Sequence, residues 1–501
     1  MWCSKEFITP ILQHAQQMKP NVLLLVMDTA RAKSCSVYDA DRRTTPTLEE
    51  FSEQSVTYDH AIAPSSWTLP SHAAMFTGQY PTDAGVHSQS MILPPDSDTV
   101  ASELSQEGYS TGVFSANPFL VAGSNLDHGF SHRRATNSRQ VLFRDAFDPA
   151  KYIRSRDHET GAAKFQELLS EVSAPPVRFG KNVANALYYK ARTTWDVGGL
   201  FSGDRPDDGA KESIAAFKSW LERDRNATSP YFACLNFMEP HTPYRIRDTF
   251  LPEWASEEDL VDLSQDRWPY LSGELDLSDR HKELFRALYE AEIEYLDQQF
   301  AKLFEFLRST TEWDDTLVIV TSDHGELLGE CELLFHDMNR LLEPLVHVPL
   351  LIKYPGERFA GKHVDETVSL INLYDTILAE TTGNSDGRTP LHPDSTYPDK
   401  VKSEFVGMNQ TAPREPHLSV YEELSERSCA VYSDQKYILF DDGQAIVTSA
   451  SDESDDCKGP ESVSVPDDIL EFSNMNEGTE RGDQLETDED LEQRLEHLGY
   501  R

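Results

Sequence analysis

The sequence predicts an α/β protein: a large, mixed but mostly parallel sheet covered by helices on both faces, with a small antiparallel C-terminal subdomain. Short apolar runs rich in β-branched residues, such as 21–27 and 317–322, are typical of buried parallel strands. Helical patterns alternate with such runs over the first 115 residues. A length of 501 residues is enough for one large domain with a smaller appendage.

The elements follow in chain order after a lead-in arm over residues 1–20. Helices are predicted to begin at Thr47 and Thr68 and to cover 99–108. Apolar residues three and four positions apart make 282–308 the clearest helix, with a stripe that faces the core. Apolar runs predict strands at 21–27, 56–61, 111–115, 231–238, 317–322 and 348–354.

Two domains are expected. Residues 1–356 form the main domain, in which 120–210 fit no regular pattern and are expected to be a variable helical insertion over the site. Residues 357–501 form the C-terminal subdomain, whose segment 449–490 is rich in Asp, Glu and Ser and is expected to be loop and partly disordered. Two runs of the subdomain are predicted to pair as a hairpin, 428–432 and 436–440.

Acidic residues dominate the composition, with 86 Asp and Glu against 45 Lys and Arg and a net charge of −41. A surface of this sign argues against nucleic acid as a partner and would be repelled by an anionic membrane. The acidity is spread through a chain that is 39% hydrophobic, unlike a disordered acidic tract. We interpret it as halophilic, since the Debye length is only ~3 Å at 1 M salt. A very acidic enzyme from an ordinary habitat is the alternative.

The cysteines and the N-terminus indicate the cellular compartment in which the protein is expected. Six cysteines are scattered without paired spacing, so neither a disulfide framework nor a zinc knuckle is predicted. The N-terminus lacks the apolar core of a signal peptide, and no run approaches the ~20 apolar residues of a transmembrane helix. The sequence therefore favours a cytoplasmic protein without a transmembrane segment.

Residues with metal-ligand chemistry follow two of the predicted strands. Asp28 comes directly after the first strand, and Asp323 and His324 follow the strand at 317–322. Because sites in open α/β sheets gather beyond the carboxyl ends of the strands, these side chains are expected at one edge of the sheet. For a single aspartate, the alternative is a helix cap.

The segment Ser65–Gly78 places a hydroxyl, that of Thr68, at a predicted helix start. Pro70 and Ser71 suit the first turn of a helix, and a helix N-terminus favours anions. A hydroxyl held there could attack a sulfate or phosphate ester. Taken alone, the pattern also fits an ordinary capped helix.

Further short motifs accompany these two segments. The set comprises Asp28, Arg31, Thr44–Pro46, Thr68–His72, Thr77–Gly78, Gly108–Thr111, Pro240–Tyr244, Ser322–Glu326 and Val348–Ile352. In this order the motifs resemble those of the sulfatase family of the alkaline phosphatase superfamily, in particular haloarchaeal-type sulfatases with threonine at the nucleophile position. The resemblance spans residues 20 to 355 and implies an alkaline phosphatase-like fold and a sulfuric ester hydrolase.

The resemblance also implies a metal site, formed by Asp28, Asp323 and His324 and holding one divalent cation. Ca²⁺ is the habit of the family, but its members usually carry a second acid where this chain has Thr29. The lost carboxylate makes Mn²⁺, Mg²⁺ or Zn²⁺ possible, because oxygen and imidazole ligands suit several divalent ions.

The nucleophile departs further from the family pattern. Sulfatases usually carry Cys or Ser, oxidised to formylglycine and followed by x-Pro-x-Arg, whereas this chain has Thr68 and, at the Arg position, His72. Oxidised threonine would be a ketone, so no formylglycine is expected. A threonine ester lacks the C–O cleavage route of formylglycine. It must be broken by attack of water or another acceptor on sulfur or phosphorus.

The remaining site residues are also implied by the resemblance. The family often has Gly-Lys-Trp-His where this chain has Ser115–Pro118, and Asn117 and Ser71 are the candidate substrate-binding residues. Three histidines are candidates for contacts to substrate oxygens or for protonating the leaving group: His72, His241 and His336. For His241 and His336, a buried and structurally satisfied histidine is the alternative.

Three functions remain open. The first is a metal-dependent hydrolase that cleaves a small-molecule or glycan sulfate (or phosphate) ester through Thr68. The second is a phosphodiester hydrolase or a phospho-alcohol transferase, with a sugar or glycerol hydroxyl as acceptor. The third is a binding protein that kept the fold and lost the chemistry, which Thr29 and Thr68 also fit.

Overall fold

The computed structural model describes most of the chain. The described residues are 19–136 apart from 39 and 122, 181–182, 209–407 apart from 248, 256–258, 261–262, 272, 311, 337–340 and 385–388, 427–449, 457 and 461–475. Most of the predicted insertion at 120–210, the arm at 1–20 and much of the acidic segment at 449–490 therefore lie outside the described residues.

Strands and helices alternate along the described chain. The strands are β1 (Asn21–Met27), β2 (Val56–Ile62), β3 (Ser110–Ser115), β4 (His132–Ala135), β5 (Tyr231–Phe237), β6 (Thr316–Thr321), β7 (Leu327–Leu328), β8 (Leu334–Phe335), β9 (His347–Val348), β10 (Leu350–Lys353), β11 (Lys362–Ser369), β12 (Val401–Phe405), β13 (Ser428–Tyr432), β14 (Lys436–Phe440) and β15 (Ala445–Thr448). The helices are α1 (Pro46–Ser52), α2 (Thr68–Thr77), α3 (Val100–Gln106), α4 (Ala210–Ser219), α5 (Trp268–Leu271), α6 (Asp279–Ser309), α7 (Glu343–Val346), α8 (Asn372–Thr382) and α9 (Asp467–Ser473).

Among the described residues, the main sheet has nine strands in the order β11-β2-β10-β6-β1-β5-β3-β4, with β9 paired to β2. β1 lies inside it, parallel to β5 on one side and to β6 on the other. Every residue of β1 is buried, which suits the apolar run after Asn21. β9 and β10 pair antiparallel with their neighbours, so the sheet is mixed but mostly parallel, as predicted.

Helices pack on both faces of the sheet because successive strand residues point to opposite faces. Leu24 of β1 belongs to one apolar cluster, together with residues of α2 and α8. Leu25 belongs to the other cluster, which contains the stripe of α6 from Phe285 to Leu307 that the sequence predicted. None of the described helices is both long enough and apolar enough to span a membrane.

The domain boundary expected at residue 356 stays a prediction, but it does not coincide with the end of the main sheet. β11 pairs in parallel with β2, and α8 follows it, so the main sheet continues beyond that residue. The run 348–354 was expected to be one strand but forms part of two, β9 and β10, separated at Pro349, which has no backbone N–H to donate. β11 escaped prediction because it is half exposed and carries charged residues instead of an apolar run.

The C-terminal subdomain is a four-stranded antiparallel sheet in the order β12-β13-β14-β15. The predicted hairpin at 428–432 and 436–440 is confirmed as β13 and β14. Part of the acidic segment is helical instead of loop, because α9 buries Ile469 against the apolar residues of this sheet.

One disulfide corrects the expectation drawn from the cysteines. Cys331 and Cys457 are joined, with Cα atoms 5.1 Å apart and a sequence separation of 126 residues. Spacing along the chain could not show this pair, because only the fold brings such distant residues together. Cys35, Cys234 and Cys429 are buried free thiols.

Candidate active site

Asp28, Asp323 and His324 meet at the carboxyl edge of the main sheet. One ligand atom from each lies within 4.8 Å of the others, and all three side chains are buried. His324 Nε2 is 3.7 Å from Asp323 Oδ2 and 4.0 Å from Asp28 Oδ1. The other ring nitrogen, Nδ1, is 2.9 Å from Gly325 O, which leaves Nε2 directed at the carboxylates. Two carboxylates and an imidazole form a donor set suited to a divalent cation.

The sheet register explains why these residues meet. β1 and β6 pair in parallel up to Val26 and Thr321, so both strands end at the same edge. Thr29 N donates to Asp323 Oδ1 at 3.2 Å, which ties the two strand ends together. Thr29 has a φ of 65°, a left-handed conformation that is unusual for a β-branched residue. This sharp turn directly after Asp28 is what presents the Thr29 N–H to Asp323.

Thr68 is the first residue of α2 and faces the same carboxylate and imidazole. Its Oγ1 lies 3.4 Å from Asp28 Oδ1 and 3.4 Å from His324 Nε2. Trp67 precedes the helix in an extended conformation, and the helix is buried along its whole length. The positive end of the α2 dipole therefore lies next to the Thr68 hydroxyl.

Asn117 contacts the same group of residues. Its Nδ2 donates to Asp28 Oδ2 at 3.0 Å and lies 3.5 Å from Thr68 Oγ1. Its Oδ1 accepts from Phe119 N at 3.1 Å, which fixes the orientation of the amide. The substrate contact predicted for Asn117 stays a prediction, because its described contacts are with protein groups beside Thr68.

A second group of side chains comes from loops. The ring of His336 lies 4.7 Å from that of His241 and 4.9 Å from that of His324, between centroids. His336 Nδ1 is 2.8 Å from Glu326 Oε1, and the hydroxyl of Tyr244 donates to Glu326 Oε2 at 3.2 Å. We call Asp28, Thr68, Asp323 and His324 the cation side of the site, and His241, Tyr244, Glu326 and His336 the imidazole side.

Comparison with known proteins identifies the family. Residues 20–383 match the family model described as Sulfatase. The chain belongs to the sulfatase family. It is 25% identical over 391 residues to the choline-sulfatase of Rhizobium meliloti (strain 1021), across 74% of this chain and 70% of that protein. It is 23% identical over 475 residues to arylsulfatase K of Canis lupus familiaris, across 86% of this chain and 77% of that protein.

Solved structures share the fold of this sulfatase. The phosphonate monoester hydrolase of Agrobacterium radiobacter matches with a TM-score of 0.60 and 19% identity, covering 88% of this chain and 91% of its own. A protein in complex with its substrate D-glucosamine-2-N,6-O-disulfate matches with a TM-score of 0.57 and 14% identity, covering 88% and 93%. The alkaline phosphatase-like fold is confirmed, and family membership makes the chain a sulfatase-family hydrolase.

Two further predicted site residues contact backbone oxygens and the Asp323 carboxylate. His72 Nδ1 lies 3.0 Å from Thr68 O and 3.4 Å from Asp323 Oδ2. Ser71 Oγ donates to Asp323 O at 2.5 Å. Both side chains are fully buried. The histidine at the usual Arg position thus supports Asp323 and the first turn of α2, and a substrate contact for either residue stays a prediction.

Burial and neighbouring charges shift the pKa values of the acids in opposite directions. Burial raises the pKa of Asp28, and the Asp323 carboxylate adds to this effect. Burial also acts to raise the pKa of Asp323, but the imidazoles of His324 and His72 outweigh it and hold that pKa below its ordinary value. Burial raises the pKa of Glu326 to about 8. The Asp323 carboxylate on the cation side is thus kept charged. The Glu326 carboxyl on the imidazole side is instead readily protonated.

Sequence reasoning missed three residues of the site. Glu326 and Tyr244 stand inside the motifs but were given no role, and Asn236 was passed over as part of an apolar strand. For Asn236, the signal in the sequence was a polar residue near the carboxyl end of a buried strand. Gly325 has a packing role, since a Cβ there would lie 2.0 Å from Pro344 O of α7.

Proposed function

We propose that this sulfatase-family chain is a metal-dependent hydrolase that cleaves a sulfate or phosphate ester by attack of Thr68. The observation that carries the proposal is the position of the Thr68 hydroxyl, 3.4 Å from both Asp28 Oδ1 and His324 Nε2. The hydroxyl also stands at the N-terminus of α2, where the positive end of the helix dipole favours an anionic substrate group.

Asp28, Asp323 and His324 fit a divalent cation and would hold it. Asp323 Oδ2 is buried and is not hydrogen-bonded within the part of the chain that the structure describes, although His72 Nδ1 lies 3.4 Å away. When bound, the cation would lower the pKa of the Thr68 hydroxyl and balance charge on the transferring group. Ca²⁺, Mn²⁺, Mg²⁺ and Zn²⁺ all suit oxygen and imidazole donors.

The reaction would proceed in two displacements. Thr68 Oγ1 forms a bond to sulfur or phosphorus while the bond from that atom to the alcohol oxygen breaks. The hydroxyl proton passes to water, because the nearest acceptors, Asp28 Oδ1 and His324 Nε2, belong to proposed cation ligands. The alcohol oxygen takes a proton from His241 or His336 on the imidazole side. Water then attacks the same sulfur or phosphorus and gives a proton to the imidazole that protonated the alcohol. The bond to Thr68 Oγ1 breaks and Thr68 regains its proton from solvent, with no formylglycine involved.

The substrate class is drawn from the relatives. Their names include a choline-sulfatase, and one structural neighbour binds a disulfated glucosamine, so a small-molecule or glycan ester is proposed. A phosphodiester hydrolase or phospho-alcohol transferase is the second candidate. Thr68 at the nucleophile position is compatible with it, because a hydroxyl nucleophile suits phosphate esters as well as sulfate esters.

The cytoplasmic location expected from the sequence stays a prediction. The Cys331–Cys457 disulfide weighs against it, because disulfides are rare in reducing compartments.

An ester panel tests the proposed function. Aryl sulfate, phosphate monoester and phosphate diester are offered in molar salt with each of the four cations, to the wild type, Thr68→Ala and Thr68→Ser. We expect turnover of at least one ester by the wild type, a loss of about 10⁴-fold or more in Thr68→Ala, and measurable turnover in Thr68→Ser. Acid quenching should trap a sulfo or phospho adduct on Thr68.

Two results would contradict the proposal. Turnover by Thr68→Ala at the wild-type rate would show that another residue is the nucleophile. Binding of cation and anion without turnover of any ester would favour the third function, a binding protein with the sulfatase fold.

A further inference from the structure

Asn236 is a buried amide in an otherwise apolar strand, β5, and is 1% exposed. Its Nδ2 donates to Asp28 Oδ2 at 3.0 Å and lies 3.4 Å from Ser115 Oγ. An ionised carboxylate can only accept hydrogen bonds, so the amide must turn its nitrogen, and not its oxygen, towards Asp28.

The sheet register places Asn236 close to the segments that follow β1 and β3. β5 lies between β1 and β3, and Asn236 pairs laterally with Val26 on one side and with Ser115 on the other. Asp28 follows shortly after Val26, and Asn117 follows shortly after Ser115. Asn236 therefore stands between the two chain segments that carry Asp28 and Asn117.

Two amides share one oxygen of Asp28. Asn117 Nδ2 and Asn236 Nδ2 each donate to Oδ2 at 3.0 Å. The other oxygen, Oδ1, faces Thr68 Oγ1 at 3.4 Å and His324 Nε2 at 4.0 Å. The two oxygens thus have different surroundings, since Oδ2 is held by amides while Oδ1 is turned to the nucleophile and to another candidate ligand.

We propose that Asn236 is a positioning residue that, together with Asn117, locks the Asp28 carboxylate so that Oδ1 is the oxygen presented to the cation and to Thr68. The inference rests on the proposed function only in requiring that a cation binds at Asp28. The side chain of Asn236 contacts Asp28, Ser115 and Met238, so it acts through Asp28. Hydrogen bonds of this kind orient metal ligands, and their removal weakens metal binding about 10–100-fold.

The test compares two matched substitutions in the full chain. Asn236→Leu keeps the branched shape of the side chain and removes the donor. Asn21→Leu makes the same change at the opposite end of the same sheet, where Asn21 Oδ1 accepts from Tyr231 N at 3.1 Å. Each protein is stripped with chelator and titrated with Mn²⁺ by calorimetry, and its melting temperature is recorded with and without Mn²⁺.

We expect Asn236→Leu to raise the Kd for Mn²⁺ about 10–100-fold and to lose most of the Mn²⁺-induced rise in melting temperature. Asn21→Leu should lower the melting temperature of the metal-free protein and leave the Kd at the wild-type value. If Asn236→Leu does not fold, Asn236→Ser removes the same contact with a smaller polar side chain, and the expected change in Kd is the same.

Three outcomes separate this inference from the proposed function. A Kd of Asn236→Leu or Asn236→Ser equal to the wild-type value overturns the inference, whether or not the protein turns over an ester. Absence of binding of Mn²⁺, and of Ca²⁺, Mg²⁺ and Zn²⁺ in the same titration, by the wild type overturns it together with the metal dependence. Mn²⁺ binding that weakens as expected in a wild type without ester turnover supports the inference while the proposed function fails.

Discussion

The cation side and the imidazole side of the site are built in different ways. Asp28 directly follows β1, Asp323 comes two residues after the end of the neighbouring strand β6, and Thr68 begins the buried helix α2. Glu326 and His336 instead flank the two-residue strands β7 and β8, held by a side-chain hydrogen bond and ring contacts. Sheet register thus determines the cation side, whereas the imidazole side depends on loops. The chemistry of the leaving group can change with those loops while the cation side is kept.

The largest effect should come from breaking the cation side. Asp28→Ala and Asp323→Ala should each abolish binding of a divalent cation, because a set of three ligands has no spare carboxylate at Thr29. Calorimetry with Mn²⁺ on chelator-stripped protein measures this. Thr68→Ala is the control, since it alters the same side and should bind Mn²⁺ as the wild type does. Unchanged stoichiometry in either aspartate variant would show that the ligands are elsewhere.

The next effect should appear on the imidazole side, in His241→Ala and His336→Ala. If either imidazole protonates the leaving group, its loss should slow hydrolysis of an ester with a poor leaving group such as phenol about 10²–10⁴-fold. An ester of 4-nitrophenol, which leaves without a proton, should be affected far less. The measurement is kcat on the two esters, with Mn²⁺ affinity expected to be unchanged.

A matched control for the imidazole prediction is His363→Ala, which removes an exposed histidine of β11. It should leave the rates on both esters alone. Equal slowing of the two esters by His241→Ala and His336→Ala would argue for substrate binding in place of proton transfer.

A smaller effect concerns the loop that leads to His336. Cys331 lies between β7 and β8 and is joined to Cys457. Replacing both with serine should lower the free energy of unfolding by about 2–4 kcal/mol, because the crosslink no longer restricts the unfolded chain. Urea denaturation measures the loss, and Mn²⁺ affinity should not change. An equal loss on adding reductant to the wild type, and none on adding it to the double variant, would confirm the cause.

Salt should act mainly through the surface and least on the buried site. With a net charge of −41, self-repulsion becomes unscreened on dilution from molar salt, so the melting temperature should fall. Thermal unfolding between low and molar salt measures the fall. A melting temperature independent of salt would argue against the halophilic interpretation and leave an acidic enzyme of ordinary habitat.

Much of the fold could be predicted because its strands and its longest helix have clear periodicity. The stripe of α6 and the apolar run of β1 each have one explanation, burial on one face or on both. β11 has no such pattern, because it is an edge strand with exposed charged residues, and its place in the sheet depends on pairing with β2. Periodicity cannot reveal a strand whose place in the sheet depends on pairing with its neighbour.

The residues of the site also fall into those that a sequence pattern reveals and those that only the folded structure reveals. Asp28, Asp323 and His324 could be predicted because each follows a recognisable buried strand and lies at the carboxyl edge. Asn236 could not, since only the register of β5 between β1 and β3 shows that its amide reaches Asp28. The Cys331–Cys457 pair escaped for a related reason, being set by three-dimensional packing of segments far apart in the chain.

The central place of β1 also has a consequence for biosynthesis. Asn21 accepts from Tyr231, 210 residues later, and Thr29 donates to Asp323, 294 residues later. At about 5–20 residues per second, Asp28 is synthesised on the order of tens of seconds before Asp323. Until β5 has been made, β1, an apolar strand that will be paired on both sides, has neither of its neighbours in the sheet, and until β6 has been made it lacks one of them. The nascent chain therefore cannot bind the cation through all three ligands until β6 has been made, and the exposed edges of β1 are the natural target for a chaperone at the ribosome.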